Sequence, residues 1–206
     1  MIKLKIIILL LIFGIYSCGQ TTHPTKRTAV ELNDKIVPLV NYLSNSDSCI
    51  KALTFLDSAT IIDSNCFLCY YNKLMFLKSL KQYDKAISTV NRLLRLKPFA
   101  NDLYLSGGVY YMKIGDTASA KVYFQKSLDI CNGVLDTISV ENRNYVSLTI
   151  NKALDIILLG DQRKGNEILK DLRNKQTDST YSDYISSFMN KSSDELLEFS
   201  EGKYGR

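Results

Sequence analysis

In the stretch YYMKIGDTASAKVYFQKSL, residues 110–128, two segments with apolar side chains at helical spacing flank Gly115 and Asp116, and the small Ala120 follows just after the turn. The pattern recurs along the chain. Ala52, Ala86 and Ala120 lie 34 residues apart, and Leu56, Val90 and Phe124, Ile62, Leu96 and Ile130, and Leu43, Leu77 and Tyr111 keep the same interval. Self-similarity at this period predicts stacked helical hairpins, none of which can bury its apolar face alone. Helix-end chemistry agrees. Gly115 and Gly160 suit a positive φ at the end of a first helix, Asp116 and Asp161 suit caps that accept the next helix's free N–H groups, and Pro98 and Asn132 close second helices. The Gly160-Asp161 turn is offset: Gly165 falls 45 residues beyond Ala120, which places an insertion of 11 residues over 135–145. Beyond the array, Tyr181, Tyr184, Ile185, Phe188 and Met189 form one apolar helical stripe, and Ser192 with Glu195 reads as a capping box before Leu196, Leu197 and Phe199.

These positions resemble the tetratricopeptide repeat (TPR) family. The copy over 67–100 places Tyr70, the turn KQYDKAI, Ala86 and Pro98 where the family has its aromatic, turn, small residue and proline. The copy over 101–134 places Tyr104, Gly107, Gly108, Tyr111, Gly115-Asp116, Ala120 and Phe124 there. A first copy over 33–66 keeps Ala52, Leu56 and Ala59, with Pro38 suiting a first helical turn or a break; a fourth over 146–179 keeps Ile156, Gly160, Asp161, Gly165 and Leu169. The resemblance implies an all-α, TPR-like solenoid of about four helical hairpins, closed by C-terminal capping helices within 180–206. It also implies a concave groove lined by first-helix residues: Tyr71, Met75 and Lys78, then Leu105, Val109, Met112 and Lys113, then Ile150, Leu154 and Ile157. These are mostly apolar. Tyr71 and Met75 stand where a clamp for a C-terminal carboxylate would want Lys and Asn, so the groove suits an apolar or amphipathic segment; the competing reading is that this stripe is simply core.

The chain starts with Lys3 and Lys5, an unbroken apolar run over 6–13, and Ile15-Tyr16-Ser17-Cys18-Gly19. This is a secretory-signal layout, and the apolar run is too short to span a bilayer, which takes about 20 residues. Its end resembles the bacterial lipoprotein signal through Ile15, Ser17 and Cys18, the alternatives being a plain signal peptide or an uncleaved anchor. The resemblance implies removal of residues 1–17, acylation of Cys18, attachment to a membrane through that lipid, and a tether over 18–32. Gly19, in place of an acidic residue after Cys18, implies by resemblance a location in the outer membrane facing the periplasm.

Charge and chemistry narrow the function. The formal charge of +5 includes Lys3 and Lys5; without them 24 basic residues face 21 acidic ones, which is no footprint for nucleic acid. The one histidine, His23, lies in the expected tether, the carboxylates are scattered, and no glycine-rich phosphate loop is present. No catalytic residue, metal site or cofactor is implied. Cys66 and Cys69 form a CFLC pair open to three readings: a local disulfide, a redox motif, or small apolar residues of the array. Cys49 and Cys131 are expected to be free. The reading that follows is a lipid-anchored scaffold holding another envelope protein or an amphipathic peptide. Its alternatives are a redox or enzymatic periplasmic protein using Cys66 and Cys69, and a purely structural spacer.

Overall fold

A computed structural model describes residues 24–176 and 178–199. Among them lie ten α-helices and one 3-10 helix, and no strand. The first hairpin joins α1 (Pro24–Asp34) to α2 (Ser46–Ile62) through a 3-10 helix, Val37–Tyr42. The next three pair α3 (Phe67–Ser79) with α4 (Tyr83–Leu96), α5 (Asn101–Lys113) with α6 (Thr117–Leu135), and α7 (Tyr145–Leu158) with α8 (Gln162–Asn174). Two short helices follow, α9 (Ser179–Ser186) and α10 (Ser193–Phe199). From α1 to α9 each helix packs on the next in sequence, so the chain is an all-α solenoid built from local contacts.

The turns carry the chemistry expected of them. Gly115 has φ +83° and Gly160 φ +110°, values that cost a residue with a Cβ but not glycine. The Asp116 carboxylate accepts the Ser119 N–H at 3.0 Å, and Asp161 accepts the Lys164 N–H at 3.0 Å, so each caps the helix it precedes. In the second hairpin Lys81, φ +55°, takes the left-handed position without glycine's freedom.

Packing explains the period. Ala52, Ala86 and Ala120 are fully buried, as are Leu56, Val90 and Phe124. Small residues on the second helices let neighbouring helices approach closely. On α5 the approach is closer still: a Cβ on Gly107 would lie 2.6 Å from the Tyr123 ring, and one on Gly108 would lie 2.4 Å from the Phe124 ring. Gly165 plays the same part in the fourth hairpin, where a Cβ would meet Ile157 at 2.3 Å and the Ala153 carbonyl at 2.7 Å. Tyr111 is only half-buried, its ring 5.0 Å from that of Tyr123.

Four expectations are corrected. Residues 24–32, assigned to the tether, belong to α1, whose Ala29 is fully buried in the core of the first two hairpins. The first hairpin therefore starts at Pro24 instead of residue 33. Asn72 donates to Asn33 at 2.9 Å and Cys69 Sγ sits 3.9 Å from the Ala29 carbonyl oxygen, so α1 pairs with α3 at an offset of 39 to 40 residues. The physical reason is Pro38: it lacks an N–H and stands in the first turn of the 3-10 helix, which takes up the extra residues. Asn132 does not close α6, which continues to Leu135 before the inserted segment. The stripe over 181–189 is broken as well: α9 ends at Ser186, and of the five apolar residues only Ile185 and Phe188 are buried. The Ser192–Glu195 capping box is formed, with Ser192 N–H donating to Glu195 Oε2 at 2.7 Å and Glu195 N–H donating to Ser192 Oγ at 3.2 Å. Cys18 and His23 lie outside the described residues.

Asp155, on the face of α7 turned toward α6, is 0% exposed, and neither of its carboxylate oxygens has a hydrogen-bond partner. The nearby Ser127 hydroxyl donates to the Asn101 carbonyl at 3.1 Å, and Asn101 donates to Cys131 Sγ at 3.3 Å. Burial pushes the Asp155 carboxyl from 3.8 up to about 8, with Ser127 acting the other way, and it pushes the Cys131 thiol up to about 12, the Asp155 charge adding to it. A charged carboxylate is poorly tolerated here, so the folded protein holds a proton that the unfolded chain releases near the ordinary carboxylate value of about 3.9.

Two outcomes are expected. In urea titrations Phe124→Ala loses about 3–5 kcal/mol and Ala120→Leu loses about 1–3 kcal/mol by overpacking; wild-type stability in both would contradict the stacking. Stability contributed at Asp155 is full below about pH 4 and is lost as pH rises through about 8. Asp155→Asn removes that pH dependence, which chemical denaturation at pH 5 and pH 8.5 would detect.

Candidate functional site

The first helices α3, α5 and α7 of successive hairpins turn one face to the inner side of the solenoid. A cavity of about 320 Å³ lies there. It is lined by Lys78 from α3, Leu105, Ser106, Val109 and Tyr110 from α5, Ile150, Asn151, Leu154 and Leu158 from α7, and Tyr184, Phe188 and Leu196 from the C-terminal segment.

Five of the ten groove residues expected from the sequence thus meet around one space: Lys78, Leu105, Val109, Ile150 and Leu154. The other five do not line it. Tyr71 is 44% exposed, with its ring stacked 5.9 Å from Phe67. Burial raises its hydroxyl above the ordinary value and the charge of Asp102 adds to the effect. Met75 packs against the core of the first hairpins, and Met112 against the cluster around Phe124. Lys113 is half-buried in the last turn of α5. Ile157 is 0% exposed: it is core, and its carbonyl accepts the Ser193 hydroxyl at 3.2 Å.

The C-terminal segment accounts for that burial. Ile185, Phe188 and Leu196 join Ile150, Ala153 and Ile157 in one buried cluster, while Leu197 joins Val109, Ala120 and Phe124 in another. Gln162 Nε2 donates to the Lys191 carbonyl at 3.2 Å, and Asn190 N–H donates to Asn166 Oδ1 at 2.7 Å, which fastens the return. The inner face is consequently covered at α7.

Ser106, Tyr110, Asn151 and Leu158 were missed by sequence reasoning, although the helical spacing that picked out Leu154 also reaches Asn151 and Leu158. Tyr110 is held by stacking on Tyr83 at 6.1 Å, and burial, with Tyr71 second, pushes its hydroxyl up to about 12. Lys78 is the one charged lining residue among those described. No acid–base pair stands in the cavity, and the described residues contain no cluster of three metal-ligating side chains.

Cys66 and Cys69 are joined in a disulfide with Cα atoms 5.4 Å apart, at the N-terminus of α3. Cys49 and Cys131 are free and buried, and the Cys49 thiol donates to the Leu43 carbonyl at 3.3 Å.

Helical hairpins stacked in sequence around an inner apolar face define a TPR-type helical solenoid. The sequence profile of the tetratricopeptide repeat matches residues 68–99 and 102–133, which span α3 with α4 and α5 with most of α6. The chain therefore carries two tetratricopeptide repeats. No curated protein matches it. Among solved structures, a match is the crystal structure of YrrB, a TPR protein with an unusual peptide-binding site; identity is 17%, 87% of this chain and 85% of that chain are covered, and the TM-score is 0.45.

Groove and core separate under substitution. Ile157→Glu buries an unpaired charge and is expected to unfold the C-terminal half, whereas Tyr71→Glu, at a half-exposed position, changes stability by only about 0.5 kcal/mol. Thermal unfolding of the two variants measures the difference, and equal effects would contradict the division.

Proposed function

We propose that the protein is a lipid-anchored scaffold of the bacterial cell envelope that holds an amphipathic segment of another envelope protein in its inner groove. The observation that carries this reading is the cavity of about 320 Å³ between α5, α7 and the C-terminal return, apolar on most of its wall, with Lys78 at its α3 side and Ser106 and Asn151 beside it. An amphipathic helix presents what such a wall takes: an apolar stripe for Leu105, Val109 and Leu154, and polar or acidic positions for Lys78. Two tetratricopeptide repeats, a repeat type that mediates contacts between proteins, support the scaffold reading.

Anchoring is read from the N-terminal residues alone. Lys3, Lys5, the apolar run over 6–13 and Ile15-Tyr16-Ser17-Cys18 support export, removal of residues 1–17 and acylation of Cys18, with the outer membrane as the location. No helix among the described residues is long and apolar enough to cross a membrane.

The test uses photo-crosslinking in intact cells of a bacterium that expresses the full chain. A crosslinker placed at Ser106 is expected to capture one envelope protein. Leu105→Glu abolishes that capture while the protein keeps its unfolding temperature and its membrane fraction; undiminished capture would overturn the groove. Cys18→Ala is expected to leave an unprocessed or soluble form, and an unmodified mature N-terminus elsewhere, found by mass spectrometry, would overturn the anchor.

A further inference from the structure

We infer that one edge of the solenoid, where α2 runs into α3 and α4 runs into α5, rests against the lipid bilayer. Ala29 lies beside Cys69 and Asn33 beside Asn72, so residue numbers rise together along α1 and α3, and the two helices are parallel. The start of α1 therefore stands at the edge where α3 starts. The end of α4 reaches the same edge: Arg92 Nη2 donates to the Ser64 carbonyl at 2.5 Å, and the Lys97 ammonium lies 4.0 Å from the centre of the Phe67 ring.

Large apolar side chains stand exposed at this edge, beside Asp63 at the end of α2 and Asp102 in the first turn of α5. Ile61 is 82% exposed, Phe99 80%, Leu68 56% and Ile62 37%, and all four stand at the helix ends or connections gathered there. Each alone would be ordinary, but four branched or aromatic side chains around one rim need a covering. Lys26 in the first turn of α1 and Lys97 after α4 supply positive charge around them, Arg27 beside Lys26 being paired with Glu31 at 3.1 Å, and an apolar wedge with such a basic border suits an interface of acyl chains and anionic headgroups.

The chain itself chooses the occupant. Cys18 precedes Pro24 by six residues, a contour of at most about 20 Å, so an anchor at or before Cys18 keeps this rim within reach of the membrane surface. The opposite edge, with Gly115 and Gly160, lies a helix length further away. An array seated in this way would turn the side of the solenoid, and with it the inner groove, to partners lying along the membrane surface.

The inference rests on the anchoring proposed above, and its test keeps the two apart. The chain has no tryptophan, so one introduced residue is a clean reporter. Full-length Phe99→Trp, Ile61→Trp and Ile114→Trp proteins are reconstituted separately into vesicles of phosphatidylethanolamine and phosphatidylglycerol, with and without brominated acyl chains. Ile114 is exposed at the far end of α5, about 20 Å from Phe99 at 1.5 Å per residue, and serves as the reference. Flotation reports the anchor, and bromine quenching reports the edge. The expected result is that all three proteins float and that the Phe99→Trp and Ile61→Trp proteins lose most of their emission in brominated vesicles while the reference keeps its own. Floating proteins with equal emission at all three positions would overturn the edge and leave the anchor standing; failure to float would overturn the anchor and the inference with it.

Discussion

Helix α5 can lie where it does only because two consecutive positions on it have no side chain. At Gly107 and Gly108 the rings of Tyr123 and Phe124 occupy the space a Cβ would need. That contact sets how close α5 and α6 approach, and through it the burial of Phe124. Tyr123 passes the constraint outward, with its ring against Tyr104 at 5.6 Å and Tyr111 at 5.0 Å and its hydroxyl on Asn91 of α4. A solenoid of this kind transmits geometry from neighbour to neighbour, so one close contact fixes the surface that several hairpins build together.

The joint between the third and fourth hairpins is made differently. There α6 runs on to Leu135, and Asp155 is buried against α6 with the Ser127 hydroxyl as its polar neighbour and no hydrogen bond to its oxygens. Burying the protonated acid without a hydrogen bond costs free energy, and burying the same group charged costs far more. The fourth hairpin packs on the third as its neighbours do, and the Asp155 proton adds a pH-sensitive contribution to that joint. On the far side of the same hairpin the C-terminal segment folds back onto Ile150 and Ile157 and covers what a regular array would leave open. The inner face becomes a short, partly open cavity bordered by α3, α5, α7 and the C-terminal return.

The fold was legible from residue spacing because each repeat makes the same contacts. Ala52, Ala86 and Ala120 are fully buried in three successive hairpins, and Gly115-Asp116 and Gly160-Asp161 solve the same turn twice, so local chemistry and period agree. Half of the groove was legible for the same reason. Ile157 was misassigned because a helix has more than one apolar face, and spacing alone does not say which neighbour will arrive to cover it. The first hairpin was displaced because Pro38 broke the period where the repeat pattern was weakest, and its α1 shows one buried Ala29 rather than a repeated motif.

What the residues determined by themselves were the interactions closed within a few positions: helix ends, caps, the glycine turns, the Ser192–Glu195 box and the 34-residue interval that only stacking satisfies. Tertiary structure decided what depends on chain segments far apart in number meeting in space. It brought Leu196 and Leu197 back to α7 and α5, buried Asp155 against α6, and gathered Ile61, Leu68 and Phe99 at the rim where α1 begins. Periodicity records the contacts that repeat. A contact made once, between a terminus and the middle of the array, leaves no interval to read, and its energy exists only after the helices are in place.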